Sequence, residues 1–232
     1  MKNSDFLSHS LNRQEKRYGA CWLAFETLLF SSLLQILNSL LPTPLPQVEV
    51  NFIFFSVNFT VVAILFRRYL WSQVELVADL MGKIVSTAIT VFIAYWVANF
   101  LLMQMLFTLD PEHFSINDVT IQTLVKENFF LMFLGSVILV PITEECLFRG
   151  LLFRGLYDRN PILAWVVSIA LFSAVHIINY IGAYPFGTIL LCFVQYIPAG
   201  VCLAGAYRLS GSLLSPILIH ALVNFVGMLA LR

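Results

Sequence analysis

Ionised side chains are scarce in this chain. Lys and Arg number 13 and Asp and Glu 13, so only 11% of the 232 residues are charged, the formal net charge is +0, and 59% are hydrophobic. That scarcity excludes a soluble domain of ordinary surface. With no basic excess there is nothing to attract nucleic acid, and no nucleic-acid partner is expected. Internal repeats, low-complexity tracts and linkers long enough to separate soluble domains are also missing. Cys21, Cys146, Cys192 and Cys202 form no C-x-x-C pair and lie in or beside apolar segments. They read as small buried hydrophobes rather than a disulfide or metal framework.

What fills the chain instead is hydrocarbon in long runs. A helix crossing a bilayer needs about 20 mostly apolar residues. Residues 20–41, 50–66, 84–107, 129–148, 161–178, 186–207 and 213–231 are the candidates. The expected fold is all-α, a polytopic membrane helical bundle of about seven to eight transmembrane helices. The polar stretch 1–19 precedes the first run, which outlasts a signal-peptide core and has no small-x-small cleavage site, so 20–41 reads as a retained anchor. Glu26 within it is expected near the headgroups, in reach of Arg13, Lys16 or Arg17. Residues 70–83 place Leu70, Val74, Val77 and Met81 on one face and Glu75, Asp79 and Lys83 on another, as in an interfacial helix. A second short helix is expected over 115–127. Lys2, Arg13, Lys16 and Arg17 put the N-terminus in the cytoplasm, and the loop charges then alternate consistently with a multi-pass protein of the cell (plasma) membrane. Three regions follow: a cytoplasmic tail 1–19, N-terminal transmembrane helices 20–128 including the interfacial helix, and a helical core 129–232.

Against this background a few polar residues stand out. Glu144 and Glu145 end the apolar run 129–143, and carboxylates inside a membrane tend to be kept for function. His176 and His220 each sit in an apolar segment without charge, and Asn224 follows His220 by one helical turn. Asp158, Arg159, Asn160 and Pro161 supply a turn. In the resulting hairpin Glu145 and His176 are each roughly 15 residues, or about 23 Å, from that turn and so arrive at one level. His220, roughly 14 Å into its own helix, reaches a similar depth. Glu145 and Arg149 are four apart, the spacing at which side chains meet. Arg149 is therefore expected to neutralise Glu145, while Glu144, about 100° around the helix, faces an interior cavity as a base. His176 can share the water or shuttle its proton, and His220 with Asn224 suits a developing oxyanion.

Each group has a plainer reading: an ion pair for Glu145 and Arg149, a bundle contact for either histidine, interhelical glue for Asn224. Convergence at one depth weighs against those readings taken together, and the set points to a membrane-embedded hydrolase.

The patterns Glu144-Glu145-x-x-x-Arg149, Phe172-x-x-x-His176 and His220-x-x-x-Asn224 resemble, in order and spacing, the three motifs of the CAAX-protease and bacteriocin-processing family of intramembrane endopeptidases. The resemblance covers about residues 129–232 and makes that region a CAAX-protease-like catalytic core. It implies an all-helical membrane fold and proteolysis near the cytosolic side, with Glu144, His176 and His220 essential. Arg149 supports by orienting Glu145, and Phe172 by packing beside His176. The implied substrate is a membrane-associated or lipidated protein or peptide. Some relatives cut the terminal tripeptide from prenylated CAAX proteins; others are linked to bacteriocin maturation or self-immunity.

The family is described both as metallo- and as glutamic peptidase, and the residues leave this open. Glu144, His176 and His220 can ligate zinc or activate water directly, and no H-E-x-x-H helix is present. No cofactor is the first choice, zinc the second. No aspartate lies in an expected span, against an aspartyl protease; Gly135-Ser136 and Gly211-Ser212 lack a rhomboid-like G-x-S-G setting. The competing functions are a non-catalytic bacteriocin self-immunity or peptide-binding membrane protein and a proton-coupled transporter. Transport is disfavoured because the two halves show no repeated interruption of spans.

Overall fold

The computed structural model describes residues 10–230, and among them the fold is helical with no strand. The helices are α1 (Arg13–Ser39), α2 (Gln47–Leu65), α3 (Arg67–Glu75), α4 (Val77–Leu109), α5 (Ile116–Glu127), α6 (Phe129–Tyr157), α7 (Pro161–Val175), α8 (Phe186–Ser210) and α9 (Leu214–Ala230). By length and composition α1, α2, α4, α6 and α8 can cross a membrane; α7 and α9 are apolar but shorter, at 15 and 17 residues. The chain is thus an integral membrane protein of helical build. Lys2, with the rest of the tail before residue 10, and Leu231 lie outside the described residues.

Two local expectations change. The stretch 70–83 is not one helix: α3 stops at Glu75, and the residues from Val77 are the first turns of the 33-residue α4. The apolar spacing runs unbroken through both pieces, so periodicity could not mark the joint at Leu76. The first span begins earlier than its apolar run. Asn12 and Glu15 close a capping box, the Asn12 side chain accepting from the Glu15 amide at 2.9 Å and Glu15 accepting from the Asn12 amide at 2.7 Å. Glu26 therefore lies about 13 residues, or roughly 20 Å, into α1 rather than at its mouth.

The hairpin of α6 and α7 forms as its turn chemistry dictates. Asn160 caps α7 by accepting from the Leu163 amide, and Pro161 takes the first helical position, where its missing N–H is not needed. The arms are tied by the Ser168 hydroxyl donating to the Phe148 carbonyl at 3.0 Å. The deepest core lies along the second half of α6, where Phe148, Arg149 and Phe153 are buried with Phe66, Phe172 and Tyr207. Close packing there requires glycine at Gly150, where an added Cβ would come within 2.8 Å of the Tyr69 ring. Tyr69 in turn shares a 3.0 Å hydroxyl–hydroxyl hydrogen bond with Tyr207. All four cysteines are free. Cys146 and Cys192 are buried as expected, but Cys21 is exposed on α1.

Candidate active site

Helix α6 is wound irregularly around the glutamates. Its segments Phe133–Leu139 and Cys146–Phe153 are π-helical, flanking the α-helical turn Val140–Glu145. Pro141 supplies a cause for the first, because proline has no N–H and its ring crowds the carbonyl four residues back. The Val140 amide accordingly donates five residues back, to Gly135. The next donor in that register would be Pro141, which has none, so the Ser136 carbonyl is freed. Asn224 of α9 fills the gap, its Nδ2 donating to that carbonyl at 2.8 Å.

Glu144 and Glu145 face different neighbours. Glu145 and Arg149 are both fully buried and pair at 3.0 Å between Oε1 and Nη1, as their spacing predicts. The other guanidinium nitrogen, Nη2, donates to the Gly200 carbonyl at 3.3 Å, and its carbon lies 4.4 Å above the centre of the Phe172 ring. Glu145 Oε1 also accepts from His220 Nδ1 at 2.8 Å. A carboxylate can only accept, so Nδ1 carries the proton and His220 works in the cavity through Nε2 alone. That Nε2 is 3.9 Å from Oε2 of Glu144.

Glu144 itself lines a cavity of about 560 Å³ together with His176, His220 and Asn224, and its Oε2 has no hydrogen-bond partner among the described residues. His176 caps the end of α7. Its Nδ1 donates to the Phe172 carbonyl at 2.7 Å, which leaves Nε2 for the cavity. The imidazole is held between rings, 4.8 Å from the Phe172 centroid and stacked at 4.2 Å on Tyr196. Phe172 therefore touches Arg149, His176 and, at 6.0 Å, His220. Each residue singled out in the sequence is in or against one cavity. Asn224 has one amide hydrogen committed to the backbone of α6.

The cavity also has polar walls that sequence reasoning missed. Glu26 lines it and interacts with both Asn58 and Glu144, where an ion pair with Arg13, Lys16 or Arg17 was expected. Its depth follows from the early start of α1. The signal was present, since an acidic residue inside an apolar run is a functional candidate by default. Asp118, on α5 outside the long spans, lines another part of the wall; burial raises its carboxyl above the usual range, partly opposed by a hydrogen bond to Ser115.

Among the described residues no three His, Cys, Asp or Glu side chains are gathered closely enough to hold a metal ion as they stand. Each imidazole has Nδ1 bonded within the protein and keeps Nε2 for the cavity, the arrangement of a zinc-ligating as well as of a water-activating histidine.

An all-helical integral membrane protein with carboxylates and imidazoles converging on one internal cavity is the class that fold and site define. Residues 126–226 match the family model described as type II CAAX prenyl endopeptidase, Rce1-like. Over that segment the chain is similar to the CAAX-protease family of intramembrane endopeptidases. No curated protein and no solved structure matches the chain.

Proposed function

We propose that this protein is an intramembrane endopeptidase in which Glu144 and His176 activate water against a peptide bond of a lipidated or membrane-associated substrate. The observation that carries this reading is the division between adjacent glutamates. Arg149 and His220 occupy Oε1 of the fully buried Glu145, while Glu144 is the one of the two that lines the cavity. A carboxylate so placed takes the proton of a water as that water attacks the carbonyl carbon, and His176 Nε2 shares the same water. His220, held by Glu145 in the manner of a carboxylate-oriented histidine, offers Nε2 to the developing oxyanion when protonated; the second amide hydrogen of Asn224 is the other donor. Arg149 and Phe172 position these groups. In this reading the reaction runs without a metal, Glu144 and the two imidazoles acting on water directly.

In this reading α7 and α9 complete the crossings begun by the five longer helices. The N-terminus is cytoplasmic, the protein resides in the plasma membrane, and the substrate is cut near the cytosolic face. A proteomic comparison of chain termini in membranes carrying wild-type or Glu144→Gln protein tests it. New termini on membrane-associated proteins are expected with the wild type only; identical termini in both refute the assignment.

A further inference from the structure

Peptide hydrolysis needs two proton transfers, one from the attacking water and one to the departing nitrogen, since an amide anion does not leave. Glu144 accounts for the first. A second carboxyl shares its cavity. Glu26 approaches from α1, a helix outside the family-matched segment, at the start of the π-helical turn Glu26–Phe30. π-turns inside helices recur at functional sites.

Its surroundings are built rather than incidental. Trp22, one turn earlier on α1, donates its indole N–H to Oδ1 of Asn58 at 3.0 Å, and Asn58 is only 4% exposed. Asn58, held by that bond, also hydrogen-bonds Glu26, its NH2 being the group that donates to a carboxyl oxygen. One Glu26 oxygen is thereby held as an acceptor, which leaves the other to carry a proton into the cavity. Glu26 and Glu144 face this cavity with different partners, which lets two carboxyls divide the acid and base roles. Glu144 has imidazoles beside it, whereas Glu26 has a carboxamide.

We propose that Glu26 is the proton donor to the leaving amine, an assignment that rests on the endopeptidase reading above. Water oxygen bonds to the scissile carbonyl carbon and its proton passes to Glu144. The C–N bond then breaks, the electron pair stays on nitrogen, and nitrogen takes the proton of Glu26. A new carboxyl and amine terminus depart. The proton on Glu144 returns to Glu26, and only water has been consumed.

The test compares two probes in proteoliposomes: a farnesylated CAAX peptide, and its analogue with sulfur in place of the scissile nitrogen. A thiolate leaves without a proton. Glu26→Gln is expected to slow the amide by about 100- to 10,000-fold, the usual range for a general acid, while thioester turnover stays close to wild type. Glu26→Asp retains amide turnover in part. Equal loss on both probes, or no loss on the amide, overturns the proposal. Glu144→Gln is expected to lose both probes, so a failed base assignment is read separately. Labelling needs no turnover: dicyclohexylcarbodiimide, which adds to protonated carboxyls from the lipid phase, is expected to modify Glu26 and spare Glu144 at neutral pH. A wild-type protein unlabelled at Glu26 overturns the proposal whether or not either probe is cleaved.

Discussion

Oxygen Oε1 of Glu145 accepts from His220 at 2.8 Å and from Arg149 at 3.0 Å, so one buried atom fixes an imidazole from α9 and a guanidinium from its own helix. Glu145 is thereby spent on architecture, and its neighbour Glu144 is the carboxylate that remains for chemistry. The arrangement also joins the three motifs physically, because the guanidinium lies over Phe172 and Phe172 packs against His176.

Breaking that hub has a defined cost. Arg149→Met leaves Glu145 buried with its charge uncompensated, and removing one partner of a buried pair costs about 3–5 kcal/mol. A clear fall in the thermal unfolding midpoint of the detergent-solubilised protein is expected. An unchanged midpoint contradicts the pairing.

Asn224 is expected to matter for folding as well as for turnover. Asn224→Ala abandons the Ser136 carbonyl that Pro141 left without a backbone donor, at a cost of about 0.5–2 kcal/mol for one interhelical hydrogen bond in a membrane. In a Pro141→Ala background the backbone can recover that carbonyl, so the same substitution is expected to cost less. Unfolding midpoints of the two single variants and the double variant read the difference. Additive losses contradict the proposed link.

Helical pitch and turn chemistry made much of this site legible in the sequence. The Glu145–Arg149 pair follows from a spacing of four, and the packing of α7 against α6 from the turn at Asn160-Pro161. The depth of Glu26 was not legible. The first apolar run starts at Ala20, whereas a capping box at Asn12 starts the helix itself, and hydropathy does not register caps. Contacts between distant helices were equally hidden: nothing local announces that Trp22 locks Asn58, or that Asn224 finds the carbonyl left free beside Pro141. The joint at Leu76 was masked because both flanking helices keep one apolar rhythm.

Close helix contact gives a further expectation. At Gly135 an added Cβ would strike Cδ2 of Phe55 and lie 3.1 Å from Cε2, so α2 and α6 touch through this glycine. Gly135→Ala is expected to destabilise by about 1–3 kcal/mol through overpacking. Combining it with Phe55→Ala should recover part of that loss. The unfolding midpoints decide, and a neutral Gly135→Ala contradicts the contact.

Chelation probes the mechanism. Turnover is expected to survive 1,10-phenanthroline and dialysis against EDTA, and the purified protein is expected to hold no stoichiometric zinc by elemental analysis. Activity that disappears with chelator and returns with zinc contradicts a metal-free reaction.

The central claim is that Glu144 is the base at the cavity, and the direct measurement is the rate at which purified protein in liposomes releases the terminal tripeptide from a farnesylated CAAX peptide. Glu144→Gln, folded with the wild-type unfolding midpoint, is expected to lose at least about 100-fold in that rate. Wild-type turnover by the folded Glu144→Gln protein contradicts the account.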